Sequence, residues 1–195
     1  MSVDSDDQIL AQEGCGSRRD SRFRALSEEC AYEGHRYSMF SLKEELPDGK
    51  TASRDVIRHP GAAVILPLVN SETVCLIEQH RSVFGHNLLE IPAGLMEEGE
   101  SALECARREL REETGFEAGS IEPIMVIYPA AGFCDEKMFL FLATDLTAVG
   151  QDTDDDEWVK VLSCSKSRAQ ELLARGEIRD AKTIIALQYW LGRTP

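Results

Sequence analysis

The stretch RRELREETG, residues 107–115, reads as the last turns of a helix whose charges oppose its own dipole. A helix C-terminus carries partial negative charge, so each carboxylate there costs about 0.3–1 kcal/mol. Glu109, Glu112 and Glu113 crowd that end, and Gly115 is the expected left-handed stop. Upstream, Ser101 and Glu104 form an S-x-x-E capping box, which predicts a helix beginning at Ala102. On a helical wheel Leu103, Ala106 and Leu110 make the buried stripe, while Glu104, Arg107, Arg108 and Arg111 fall on the solvent side. Glu109, Glu112 and Glu113 share a narrow face that continues through the small residues Ala102 and Cys105, which predicts close packing. Like charges at this spacing repel by a few tenths of a kcal/mol. A solvated charge run is the bland account of such a face; a bound cation would offset both costs. Carboxylates with no neighbouring His or Cys are hard oxygen ligands, suited to Mg²⁺ or Mn²⁺ rather than to zinc.

The rest of the chain sets the frame. Its 195 residues suit one α/β or α+β domain with a full core. A formal charge of −14 argues against a nucleic-acid backbone or an anionic membrane as partner, although a few arginines or a metal can reverse the sign locally. Six scattered cysteines, with no C-x-x-C pair, argue against a zinc site or a disulfide framework and for reduced thiols in a cytoplasm. The start, MSVDSDDQIL, has no signal-peptide pattern. The apolar run AAVILPLV (62–69) is too short to span a bilayer. A soluble, cytoplasmic protein is expected.

Residues 1–20 are polar and predict a disordered tail. Between residues 21 and 59, HRYSMFSLKEEL and TASRDVIRH flank PDGK (47–50), a turn signal that predicts an N-terminal β-hairpin. A second hairpin follows in AAVILPLV and TVCLIEQH, joined at NSE. Further strands are expected at NLLEIPAG, 121–129, 136–146 and WVKVL (158–162). The end of the chain predicts two helices, SKSRAQELLARG with Gly176 as its stop and AKTIIALQYWLG. Many strands, one central helix and two late ones suggest an α/β fold with a mixed sheet.

From Gly94 to Phe116 the chain reads GLMEEGESALECARRELREETGF. This resembles the Nudix box, G-x5-E-x7-R-E-U-x-E-E-x-G-U, with Gly94, Glu100, Arg108, Glu109, Leu110, Glu112, Glu113 and Gly115 in place and Phe116 at the final apolar position. The resemblance implies the Nudix α/β/α sandwich, with residues 60–195 as hydrolase domain and the hairpin region 21–59 as an extension used for dimerisation. It also implies hydrolysis of a nucleoside diphosphate linked to another moiety, with a divalent metal. RDVIRHPGA (54–62), LIEQHR (76–81), LLEIPAG (88–94), GFCDEKMFLFLA (132–143) and GEIRDAKTIIAL (176–187) are similar to segments of the ADP-ribose pyrophosphatase and nucleotide-sugar hydrolase branch. One departure is Ala131, sixteen residues after Gly115, where that branch usually carries proline.

Carried over position by position, the resemblance puts the metal, Mg²⁺ or Mn²⁺, on the Ala93 carbonyl, Glu109 and Glu113. Glu112 would ligate or support it, and Arg108 would orient the glutamates. Arg54 and Arg81 would meet the diphosphate, with Gly94 among the substrate-binding positions, and Glu90 and Glu136 would meet the ribose or nucleobase. The branch takes its general base from a late acidic loop, here DTDDDE (152–157), with Glu157 the first choice and Asp155 the second. That loop fails as an EF-hand, having Glu157 at the glycine position and Ser163 at the final glutamate position. His80, Cys105 and Cys134 read as packing residues. The substrate is expected to be ADP-ribose or another nucleotide sugar such as UDP-glucose or GDP-mannose, or a dinucleotide. The partner is expected to be a second copy of the chain, in a homodimer. A non-catalytic nucleotide-sugar sensor on the same fold is the contrasting expectation, and the intact box favours the enzyme.

Overall fold

A computed structural model describes residues 20–34, 37–152 and 158–193. The chain opens with β1 (Arg24–Glu33), β2 (Ser38–Glu45) and β3 (Thr51–Arg58), a three-stranded antiparallel sheet in that order. β2 and β3 are the expected hairpin, turning at Pro47–Lys50 with Gly49 at φ 81°. β1 is an addition to the sequence reading. It is exposed along almost its whole length, so it carries no periodic apolar signal.

A seven-stranded mixed sheet follows. Its strands are β4 (Ala62–Asn70), β5 (Thr73–Arg81), β6 (His86–Glu90), β7 (Ala93–Leu95), β8 (Phe116–Ile127), β9 (Met138–Ala148) and β10 (Val159–Ser165). Five run in the order β10-β5-β4-β9-β8, with β6 on β5 and β7 on β4. The β4–β9 pair is parallel and its neighbours are antiparallel. β4 is central and covered on both faces, which is why AAVILPLV is a continuous apolar run rather than an alternating one.

Its alternate residues divide between two cores. Ala63 and Ile65 pack with Phe139, Phe141 and Ala143 against Ala102, Cys105, Ala106 and Leu110 of the helix α1 (Ala102–Thr114). Val64 and Leu66 face the other way, with Leu140 and Leu142, against α2 (Lys166–Ala174) and α3 (Ala181–Gly192). The result is the expected α/β/α sandwich.

Local chemistry sets the helix ends as the sequence implied. Ser101 and Glu104 complete the capping box of α1, and Gly115 closes it at φ 71°. Gly176, at φ 66°, ends α2. Two details differ. Leu103 is half-buried at the edge of the core instead of inside it, because α1 rolls toward the small side chains of Ala102, Cys105 and Ala106. His80 is exposed and pairs with Asn87 across the β5–β6 edge, so it does not pack in the core.

Candidate active site

The β7–α1 junction assembles the box. Cys105 lies fully buried beneath β7 and directs its thiol at the carbonyls of Gly94 (3.6 Å) and Leu95 (3.4 Å). Burial in these apolar surroundings pushes that thiol up to about 12, so it packs rather than reacts. With β7 held this close, Glu109 and Glu113 are only 8% and 2% exposed. Glu113 accepts a hydrogen bond from the Ala93 N–H at 2.9 Å. At Gly94 an added Cβ would lie 1.8 Å from Glu109 Oε1. Close approach of a carboxylate, not an unusual φ, is what requires glycine here.

Arg108 does not extend into solvent as the helical wheel suggested. It folds over the glutamate face, donating to Glu109 Oε1 (2.6 Å), Glu112 Oε2 (3.1 Å), the Leu95 carbonyl (2.9 Å) and both oxygens of Glu100. Those bonds raise the Arg108 pKa further, and the same pairing holds Glu100 below the usual carboxylate range. The repulsion along the helix is therefore offset inside the chain, and a metal is not needed to make the helix end tolerable. Among the described residues, no three acidic, histidine or cysteine side chains converge into a ready-made cage. What the site offers is the hard-oxygen set of Glu109, Glu113 and the Ala93 carbonyl beside a cavity. That set fits Mg²⁺, which binds one or two carboxylates and completes its shell with water and substrate phosphates.

The cavity, of about 540 Å³, lies between this junction, the end of β5 and the N-terminal sheet. Of the positions singled out in the sequence, Arg81, Ala93, Gly94, Arg108, Glu109 and Glu136 line it. Arg81 comes from the end of β5, held in a fork by the buried Glu90 at 2.7 and 2.6 Å. Glu90 is 1% exposed and does not line the cavity. Burial pushes it up, yet the Arg81 and Lys182 contacts together outweigh burial and hold it ionised, below the ordinary glutamate value. Arg54 stays out of the cavity, on the exposed side of β3 in an ion pair with Glu44 at 3.3 Å. Glu112 does not line the cavity but borders a neighbouring depression, with Arg107, Arg108, Arg111 and Asp152. Asp155 and Glu157 lie outside the described residues.

Four cavity residues carried no signal in the sequence. Lys182, 6% exposed, reaches from the first turn of α3 to Glu90 and to Asp180 (3.1 Å). It reads as one more polar residue of an apolar helix, 92 positions from its partner. That turn is fixed by Thr183, whose hydroxyl accepts from the Ile91 N–H (2.9 Å) and donates to Asp180 (2.6 Å). Gln79 lies on β5 two residues before Arg81. Tyr37 and His59 stack with ring centroids 5.1 Å apart, and His59 faces Glu136 at 3.5 Å. Cys134, read as a packing residue, is half-buried on the cavity wall.

Fold and site together define an enzyme class: an α/β/α sandwich that presents a helix-borne carboxylate face, an arginine and a lysine to one cavity. A family model described as NUDIX domain matches residues 58–187. The chain is 34% identical over 168 residues to the ADP-ribose pyrophosphatase of Bacillus subtilis, covering 85% of this chain and 91% of that one. It is 37% identical over 149 residues to the methanol dehydrogenase activator of Bacillus methanolicus (74% and 80% covered). To the GDP-mannose pyrophosphatase of Salmonella typhimurium it is 32% identical over 168 residues (77% and 87%). A solved structure titled as that of an ADP compounds hydrolase superposes with a TM-score of 0.79 at 25% identity, covering 91% of this chain and all of that one. The chain belongs to the Nudix family and is a Nudix pyrophosphohydrolase. No helix among the described residues is long and apolar enough to cross a membrane.

Proposed function

We propose that the protein hydrolyses the diphosphate linkage of a nucleoside diphosphate sugar, with ADP-ribose, cleaved to AMP and ribose 5-phosphate, as its foremost substrate. The observation that carries this is one cavity lined together by Glu109, Ala93, Arg81 and Lys182. A diphosphate resists attack because its oxygens are already anionic. Guanidinium matches phosphate geometry, and the Glu90 fork leaves Arg81 pre-oriented at the cavity wall. Lys182 keeps Glu90 ionised and adds positive charge to the same wall. Glu109, Glu113 and the Ala93 carbonyl would hold Mg²⁺ or Mn²⁺, which when bound supplies charge neutralisation and an activated water. Arg108 keeps the glutamates in register. A carboxylate of the acidic loop, Glu157 before Asp155, would accept the proton of the water.

GDP-mannose or a related nucleotide sugar is the second reading. The Salmonella relative and Ala131, at the position of the usual proline, favour it. A homodimer supplies the place for Arg54, which would reach the diphosphate of the partner's site from the exposed face of β3. The free cysteines among the described residues agree with a reducing, cytoplasmic setting.

The test is a panel of ADP-ribose, UDP-glucose, GDP-mannose, NADH and ATP with Mg²⁺, Mn²⁺ and EDTA. Metal-dependent release of AMP from ADP-ribose is expected. Hydrolysis of ATP alone, or turnover that EDTA leaves untouched, would overturn the proposal.

A further inference from the structure

Gln79 is the buried polar side chain in the cavity that this chemistry leaves unused. It leaves β5 on the same face as Arg81, since side chains two apart along a strand point the same way. Both line the cavity, together with Lys182. Gln79 is 7% exposed, yet its Oε1 has no hydrogen-bond partner, the one such buried side-chain atom among the described residues. Its register neighbours, Leu88 on β6 and Val159 on β10, offer no side-chain donor. Buried amide oxygens are almost always paired, so an orphan calls for an explanation. A methionine of similar size would fill the position without that penalty.

We propose that Gln79 determines specificity for the sugar side of the substrate, its carboxamide pairing with hydroxyl groups there while a terminal phosphate is disfavoured. This rests on the substrate being a nucleoside diphosphate sugar. A hydroxyl both donates and accepts, so a pair of sugar hydroxyls satisfies the carbonyl and the NH₂ of one carboxamide together. A phosphate offers acceptors only. It leaves the carbonyl unpaired and sets anionic oxygens against its lone pairs. Arg81 and Lys182 beside it attract any phosphate, so charge alone does not separate a sugar from a third phosphate. The neutral amide supplies that discrimination.

The experiment compares full-length wild type with Gln79→Met. It reads thermal unfolding without ligand, kcat/KM for ADP-ribose, GDP-mannose and ATP, and the shift in melting temperature that ADP-ribose or AMP induces in EDTA. Removing an orphaned carbonyl should leave the variant melting at or above wild type, by up to about 2–4 °C. Its kcat/KM for both nucleotide sugars should fall about tenfold, which is ~1.4 kcal/mol. ATP turnover should hold or rise. In EDTA the ADP-ribose shift should shrink while the AMP shift stays. A variant that melts several degrees lower makes Gln79 a structural residue and overturns the proposal. So does a variant whose nucleotide-sugar kcat/KM lies within twofold of wild type. A wild type that hydrolyses no nucleotide sugar instead overturns the substrate reading on which the proposal depends.

Discussion

Gly94 shows how little space the glutamate face leaves. The Cβ of an alanine there would overlap the Glu109 carboxylate, which is the movable end of a flexible side chain. Gly94→Ala should therefore fold, with its melting temperature near wild type, and lose activity because Glu109 is displaced. Turnover at saturating Mg²⁺ should fall by about two orders of magnitude, the scale set by removing one group that stabilises the transition state. Glu109→Gln should lose at least as much. Near wild-type turnover in either variant would remove Glu109 from the metal site. The general base is tested in the same way. Glu157→Gln should lower kcat far more than it changes KM, because a proton acceptor acts mainly in the transition state. If Glu157→Gln is silent and Asp155→Asn is crippled, the base is Asp155; if both are silent, the loop is only solvated.

At the scale of the element, α1 is held at its start by the capping box and along its charged face by Arg108. The Glu100–Arg108 pair ties the loop before the helix to its second turn, with Glu100 also accepting from the Glu97 N–H. Arg108 depresses the Glu100 pKa below its ordinary 4.5, so this carboxylate stabilises the fold fully above that value. Its contribution is lost as pH falls through the lower, folded value. Glu100→Gln should thus melt below wild type at pH 7, by roughly 2–4 °C for each kcal/mol lost. The gap should close as pH drops well below 4.5. A gap that persists unchanged at low pH would show that the charge of Glu100 contributes nothing. The element also shows why a helical wheel misplaces Arg108. The wheel fixes the direction of Cα–Cβ, whereas a long side chain can fold across its own helix to reach Glu109 and Glu112, one and four residues away, and back to Glu100 before the helix.

For the whole molecule, the open question is what covers the N-terminal sheet. None of its strands contributes to either hydrophobic core, and Phe23, Leu26, Tyr32 and Met39 are exposed on or beside it. It is tied to the hydrolase domain through the loop before β9. Ile57 exchanges backbone hydrogen bonds with Phe133 and Asp135, and Arg58 pairs with Asp135 at 2.9 Å. Exposed apolar side chains on an edge-bearing sheet favour pairing with a second copy, usually by two-fold symmetry. Sedimentation of the full-length protein at micromolar concentration should give a dimer. Deleting residues 1–58 should abolish both dimerisation and substrate binding, since Tyr37 and Ile57 line the cavity. An active full-length monomer would overturn the dimer.

The amino-acid sequence by itself determined the helix limits, the strand over the apolar run from Ala62 and the family. Each of these depends on residues close together in the chain: Ser101 with Glu104, the unbroken apolar run from Ala62, and the box from Gly94 to Gly115. Local spacing is enough where hydrogen bonds and periodicity span only a few residues. The cavity was decided by tertiary structure. Lys182 meets Glu90 across 92 positions, and Tyr37 stacks on His59 at the open end of the hairpin, just beyond the paired Ser38 and Arg58. Gln79 looks like any polar residue of a strand until the sheet buries its carbonyl without a partner. Such meetings depend on how sheets and helices stack, and the free energy that fixes them is hydrophobic burial, which is non-directional. A sequence shows that burial must happen; only the packed sandwich shows which polar groups it brings face to face.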